Sequence, residues 1–337
     1  MTDIRVTVAI PTLAADSVLA ECLESLALQT GIGVEIVVVD NSGQGLVRRK
    51  GLAGGSVRVI ENQRNEGFGA AINAVYRSSQ APYVAALNDD AMAGRGWAQA
   101  LVDAAESDSR VGMCASRILL AGSGTLDSAG MLIARDGSSK QRGHGLPADS
   151  FPVCEEVLFP SGCAALYRRA MLNEIGGFDE DFFLYCEDTD LGLRAQRAGW
   201  RCLYVPDAVV EHRYSYSAGR ASARKAFYVE RNRLFVLAKN FPLRLAPGAW
   251  FAALARYFWH AWYILRGRGA AAKYKSDGGN ALELAWFIVR AHWALIANWR
   301  ILHKKRRRIH ETAKIGNREF IALLRRHAIT VREVAAI

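Results

Sequence analysis

The chain has no paired cysteines. Its six (Cys22, Cys114, Cys154, Cys163, Cys186, Cys202) are scattered through 337 residues, and none forms a CxxC. That excludes a disulfide framework or a cysteine-built zinc module and reads as reduced thiols in a cytosolic protein. No charged-then-apolar signal opens the sequence, because polar Met1–Arg5 passes straight into VTVAIPT. No internal repeat is visible. A composition of 51% hydrophobic and 23% charged residues excludes a disordered chain.

Long charge-free apolar runs are missing too. Arg256 and His260 interrupt AWFAALARYFWHAWYIL (Ala249–Leu265). Arg290, His292 and Arg300 interrupt ALELAWFIVRAHWALIANWRIL (Ala281–Leu302). A charge at the bilayer centre costs about 2.5–3.5 kcal/mol, so neither stretch is a comfortable span. Trp and Tyr mixed with Arg suit helices lying among lipid headgroups instead. The cluster HKKRRR (His303–Arg308) follows at once and reads as a contact to anionic lipid. A packed helical hairpin with a solvated basic end, or an oligomer contact, is the plainer alternative. Nucleic-acid binding explains the basic run but leaves the Trp-rich segments without a role. The net charge of +10 resides in this tail, since the chain before Ala246 is slightly acidic.

Ahead of the tail, strand and helix patterns alternate. VTVAIPT, EIVVVD (Glu35–Asp40), VRVIEN and YVAALNDD (Tyr83–Asp90) read as buried parallel strands. Ser17–Gln29 sets Val18, Leu19, Cys22, Leu23 and Leu26 on one helical face, and Phe68–Ser79 is a second helix. The βαβ rhythm predicts a doubly wound sheet, whose ligands bind at the carboxyl ends of strands. Thr12, Asp40, Asn41, Asn65, Asn88, Asp89 and Asp90 are therefore candidates. From Arg110 to about Pro206, short strands and Gly-rich turns predict a mixed extension of the sheet.

Adjacent acids at a strand end call for a neutralising cation, and LNDD (Leu87–Asp90) could hold a divalent metal on phosphate oxygens. Plain loops also carry Asp pairs. Asp40 could accept from a base or ribose, or simply organise an Asx-turn. Gly67 and Gly69 before a helix allow close approach of a ligand. Glu187, Asp188 and Asp190 open a helix with apolar Leu191, Leu193, Ala195 and Ala198. Any one of them suits the helix dipole, by about 0.3–1 kcal/mol. Three in four positions exceed what capping needs, and apolar Phe182–Tyr185 could tune one as a base. His212, after the apolar run in VVEH, is either structural or a ligand to an Asp-bound metal.

In this order, IPT (Ile10–Thr12), VVVDNSG (Val37–Gly43), NEGFGAAIN (Asn65–Asn73), LNDD, SGCAALYRR (Ser161–Arg169), GGFDEDFFLYCEDTDLGLRAQRAGW (Gly176–Trp200) and VVEH (Val209–His212) resemble family 2 glycosyltransferases of the GT-A fold, rhamnosyltransferase-like branch. The resemblance implies a Rossmann-like nucleotide-binding mixed sheet flanked by helices over 1–242. A helical, basic, Trp-rich, membrane-associating extension would then fill 243–337. It implies that Pro11, Thr12, Asp40, Asn41, Asn65, Gly67, Asn88 and Asp89 line a nucleotide-diphosphate sugar. Asp90, with His212, would hold Mg²⁺ or Mn²⁺. Asp188 becomes the catalytic base with Glu187 as its neighbour, which leaves Asp190 as the plain cap and Cys186 as packing.

The implied reaction inverts the anomeric carbon. The donor would be a dTDP- or UDP-sugar of a deoxysugar such as rhamnose, and the acceptor a glycan or polyprenyl-linked glycan. The setting would be cytoplasmic, peripheral to the inner membrane face, without nucleic acid and with an oligomer left open. QRAGW (Gln196–Trp200) carries Gly where the QxxRW element of processive synthases has Arg, which argues for one sugar per event. Two alternatives differ in kind. One is a degenerate GT-A domain that only binds membrane or a partner. The other is a nucleotidyltransferase, disfavoured because IPTLAADS lacks a Gly-rich, Lys/Arg-bearing loop.

Overall fold

The computed structural model describes residues 3–213, 223–267 and 281–336. Strands β1 (Ile4–Thr12), β2 (Gly33–Asp40), β3 (Val57–Glu61), β4 (Tyr83–Leu87), β5 (Ala91–Ala93) and β6 (Val111–Leu120) come first. β7 (Leu126–Ser128), β8 (Met131–Ile133), β9 (Ser139–Gln141), β10 (Glu155–Val157), β11 (Ala164–Arg168) and β12 (Arg201–His212) follow. One sheet runs β10-β12-β6-β11-β4-β1-β2-β3, with β5 on β12 and β7 on β6, while β8 and β9 form a separate ribbon. β1 lies parallel to β2 and β4, whereas β11 inserts antiparallel between β4 and β6. This is the mixed extension that the short strands predict.

Helices α1 (Ser17–Ala27), α2 (Leu46–Arg49) and α4 (Trp97–Glu106) cover one face of the sheet. α3 (Phe68–Ser78), α5 (Arg169–Ile175), α6 (Glu187–Arg197) and α7 (Ala223–Asn240) cover the other. The period of two in β2 builds both cores. Ile36 and Val38 join the first cluster, Val37 and Val39 the second. α1 buries the five residues its spacing predicts, and Asp16 caps it by accepting from the amides of Val18 and Leu19.

The C-terminal part continues as α8 (Ala246–Leu265), α9 (Ala281–Ala297), α10 (Trp299–Glu311), α11 (Asn317–Arg326) and α12 (Val331–Ala336). Leu302, Phe320 and Leu324 enter the second core beside Phe235 and Val236 of α7. The Arg256 that interrupts the apolar pattern is buried. It donates from Nε to Asp136 at 2.6 Å and from Nη2 to Glu230 at 2.6 Å, so it pins α8 to the body. The other faces of α8 and α9 are bare. Trp250, Phe251, Phe258, Trp262, Trp286, Trp293 and Ile296 are each at least 40% exposed. Among the described residues, no helix is long and apolar enough to cross a membrane.

Candidate active site

The predicted strand-end residues converge at the carboxyl edge of the sheet. β1 ends at Pro11 and Thr12, in register with Val39 and Asp40 of β2. The Thr12 hydroxyl donates to Asp89 Oδ2 at 2.7 Å, and the Asn41 amide donates to the Thr12 carbonyl at 2.8 Å. Burial, with Asp90 alongside, pushes Asp89 up to about 6.

Asp40 accepts from the amides of Ser42 and Val47, both at 2.9 Å. Burial works against its charge, but these hydrogen bonds outweigh it and hold the carboxyl below its ordinary value. The Asx-turn reading therefore applies. Asn65 accepts from the Gly67 amide at 2.9 Å. Gly67 has φ +89°, and a Cβ there would lie 2.1 Å from the Phe183 carbonyl oxygen. Its glycine thus serves a close approach between two loops, the NEGFG turn and the segment before Asp188.

β12 delivers His212 beside Asp90, with Nε2 3.2 Å from Asp90 Oδ1. His212 Nδ1 lies 2.8 Å from Asp127 Oδ2, and His144 Nδ1 lies 3.1 Å from Asp127 Oδ1. Burial opposes a charged His212, yet Cys163, Asp127 and Asp90 hold it well above an ordinary histidine. Asp127 itself is held low, because the two imidazoles outweigh its burial. Asp127 and His144 were not read from the sequence. Asp127 sits on three-residue β7 and His144 in a Gly-rich turn, and neither has a spacing that points to His212.

The segment Ser161–Cys163 ties this His212–Asp90 cluster to Asp188. The Asn88 amide donates to the Cys163 carbonyl at 2.8 Å, and the Gly162 amide donates to Asp188 Oδ2 at 3.1 Å. Asp188 Oδ1 also accepts from the Thr189 amide at 2.6 Å. Burial raises Asp188 despite these donors. It raises Glu187 further, to about 8, with the Asp188 charge adding to the effect. Glu187 is buried, and its Oε2 has no hydrogen-bond partner among the described residues.

Asp190 is not a plain cap. It is fully buried, pairs with Arg194 at 2.8 Å and Lys239 at 2.7 Å, and accepts from Asn240 at 2.8 Å. α6 packs against α7, so its third acid points to Lys239 and Asn240 of α7 and to Arg194 of its own next turn. Just upstream, Phe183, Tyr185 and Cys186 all have positive φ, between 62° and 70°. Asn232 of α7, absent from the sequence reading, holds that loop. Its Nδ2 lies 2.9, 2.8 and 2.7 Å from the carbonyls of Phe182, Leu184 and Tyr185.

A ten-stranded mixed sheet with paired acids after β4, and a Glu-Asp pair at the start of α6 linked to them through Gly162 and Cys163, has the layout of a GT-A nucleotide-sugar transferase. Two solved structures share the fold. One is GalNAc-T7 with UDP, GalNAc and Mn²⁺, at TM-score 0.54 and 17% identity, covering 70% of this chain and 51% of that one. The other is the mannosyltransferase PcManGT of Pyrobaculum calidifontis with GDP-Man and Mn²⁺, at TM-score 0.50 and 18% identity, covering 93% and 89%.

The family model described as Glycosyl transferase family 2 matches residues 7–176, and Glycosyl transferase family group 2 matches 148–302. The chain belongs to glycosyltransferase family 2, in its rhamnosyltransferase-like branch. It is 32% identical over 251 residues to the N-acetylglucosaminyl-diphospho-decaprenol L-rhamnosyltransferase of Mycobacterium tuberculosis, covering 66% of this chain and 80% of the relative. It is 37% identical over 82 residues to the rhamnosyltransferase WbbL of Escherichia coli, covering 24% and 31%.

Proposed function

We propose that this chain transfers a deoxysugar such as rhamnose from a dTDP- or UDP-activated donor to a polyprenyl-diphosphate-linked glycan, inverting the anomeric carbon. The observation that carries the reading is the bridge from Asn88 through Cys163 and Gly162 to Asp188, which sets a raised-pKa carboxyl one loop from the paired acids. The names of the rhamnosyltransferase relatives support the sugar and the lipid-linked acceptor.

Asp188 takes the proton of the acceptor hydroxyl as that oxygen attacks the anomeric carbon. The Gly162 and Thr189 amides fix the carboxyl in place, and burial raises its basicity. Glu187, held neutral by burial and by Asp188, adds no second negative charge near neutrality. Thr12, Asn41, Asn65, Gly67, Asn88 and Asp89 form the donor's cradle, and Pro11 and Asp40 shape it.

The donor set suits a divalent cation. No trio of His, Cys, Asp or Glu converges as a metal cage among the described residues. Mg²⁺ is commonly held by one or two carboxylates plus substrate phosphates, and Asp90 would be such a carboxylate, joined by His212 once a bound cation displaces the imidazole's second proton. His212 places its second ring nitrogen on the Asp127 carboxylate, the arrangement that orients a ligating imidazole. When bound, the ion would neutralise charge on the departing diphosphate.

A cytoplasmic protein lying against the inner membrane face suits the lipid-linked acceptor, and the bare aromatic faces of α8 and α9 support that placement. The test incubates the full chain with a panel of nucleotide sugars, Mg²⁺ or Mn²⁺, and a polyprenyl-diphosphate-sugar acceptor. Acceptor-dependent release of nucleoside diphosphate, lost in Asp188→Asn, is expected. No release from any donor would refute the reading.

A further inference from the structure

We propose that a basic cavity between the Pro242–Arg244 turn, α10 and the start of α11 binds the phosphate of an anionic phospholipid headgroup. The inference rests on the reading that the protein works at a membrane surface. The cavity has a volume of about 400 Å³ and is lined by Leu243, Arg244, His303, Arg306, Arg307 and His310, with Pro242 and Asn317 completing it. Three guanidiniums and two imidazoles line it, and no carboxylate does. Lys305, on the same helix, shows the contrast: it turns to the protein and pairs with Asp179 and Asp181. The cavity's five basic groups have no such acid among the described residues. Three crowded guanidiniums without a counter-charge favour an anion, and their geometry matches phosphate oxygens in particular; burial and the neighbouring arginines hold His310 below an ordinary histidine, so it contributes a neutral ring.

The floor of the cavity is built rather than incidental. Arg306 is buried, and its Nη1 donates to the carbonyls of Ala238 at 2.9 Å and Phe241 at 2.7 Å. Arg197, which does not line the cavity, is 2% exposed with its guanidinium 4.0 Å over the Phe320 ring, and Arg306 adds to burial in lowering it to about 10. Arg197 Nε and Nη2 have no hydrogen-bond partner among the described residues. α11 starts at Asn317 with Gly316 as N-cap and no side-chain cap, which leaves its first amides for a ligand.

The surroundings favour lipid over a soluble phosphate. Leu243 on the rim is 70% exposed, and Trp250 and Phe251 stand bare on the first turns of α8 just beyond it. Trp299, 53% exposed, stacks on His303 with ring centroids 6.3 Å apart. Aromatic and apolar side chains around a basic cavity match the boundary between headgroups and acyl chains.

The test is co-sedimentation of the full chain with phosphatidylcholine vesicles, with and without phosphatidylglycerol. Arg244→Gln with Arg307→Gln removes two exposed cavity charges. Lys304→Gln with Arg308→Gln removes two exposed charges of α10 that do not line the cavity. We expect wild type to prefer the phosphatidylglycerol vesicles. The cavity double variant should bind them roughly thirtyfold more weakly, from about 1 kcal/mol per basic residue. The control double variant should lose markedly less, and transfer to a detergent-soluble acceptor should be unchanged in both.

Equal losses in the two double variants would refute a defined site in favour of diffuse charge. Unchanged binding by the cavity variant would refute the site while leaving membrane association standing. Wild type that binds neither vesicle would overturn both. A thermal shift by inorganic phosphate, lost in the cavity variant while its vesicle binding stays intact, would reassign the cavity to a soluble anion.

Discussion

Asn232→Ala should disable catalysis from a position that does not face the reacting atoms. The amide nitrogen of Asn232 holds three consecutive-turn carbonyls, those of Phe182, Leu184 and Tyr185. Between them, Phe183, Tyr185 and Cys186 hold left-handed backbone without being glycine. Such residues cost about 1–3 kcal/mol each, so the loop relaxes unless its surroundings over-determine it. Two N–H hydrogens serve the three carbonyls, and each net bond contributes about 1 kcal/mol. The Phe182 carbonyl keeps the Arg231 guanidinium and the Leu184 amide, so the loss of the Asn232 bonds alone brings the expected stability loss to about 2–3 kcal/mol.

Asp188 lies two residues past this loop. A displacement of about 1 Å there lowers kcat on the order of a hundredfold. The assay compares kcat for sugar transfer with the affinity for nucleoside diphosphate, measured by calorimetry below the lowered Tm. A hundredfold fall in kcat with a markedly smaller fall in affinity is expected: Thr12 and Asn88 bond to Asp89 and Cys163 rather than to this loop, and only the Gly67 turn meets it, through the Phe68 amide on the Phe183 carbonyl. Wild-type kcat in a folded Asn232→Ala protein would refute the reasoning. Parallel loss of kcat and nucleotide affinity would equally refute it, since that pattern reports general unfolding.

Asp190→Asn should destabilise the fold by about 3 kcal/mol in chemical denaturation, the low end for a broken buried pair, since Arg194 loses its carboxylate while Lys239 keeps Asp179. Glu187 holds its proton more tightly folded than unfolded. Its contribution is therefore complete below about 4.5 and disappears as pH rises through about 8. Wild type should lose stability over that window relative to Glu187→Gln, and parallel curves would contradict the assignment. Asp127→Asn should weaken Mn²⁺ binding in the presence of nucleoside diphosphate about 10–100-fold by releasing the orientation of His212, as read by calorimetric titration. The acid limb of the kcat profile should sit above the ordinary aspartate range, because burial raises Asp188 and only its charged form accepts the proton.

Local pattern determined the nucleotide half of the protein. β-branched runs gave parallel strands, the 3.6 period gave α1, and strand ends put Thr12, Asp40, Asn88, Asp89 and Asp90 on one edge, because those rules act within a few residues. Motif order was enough to name the family. Tertiary structure decided what long-range packing controls. Asp190 became a buried ion-pair centre because α7, about fifty residues later, brings Lys239 and Asn240 against it. Asp127 reached His212 from 85 residues away, and Asn232 reached the loop before Asp188 from about fifty. Arg256, which in the sequence looked like an interruption of an apolar helix, proved to be the ion that docks that helix on Asp136 and Glu230. Sequence periodicity reports which face of an element is apolar. Which distant charge or carbonyl meets that face depends on how the elements stack, and no local spacing encodes it.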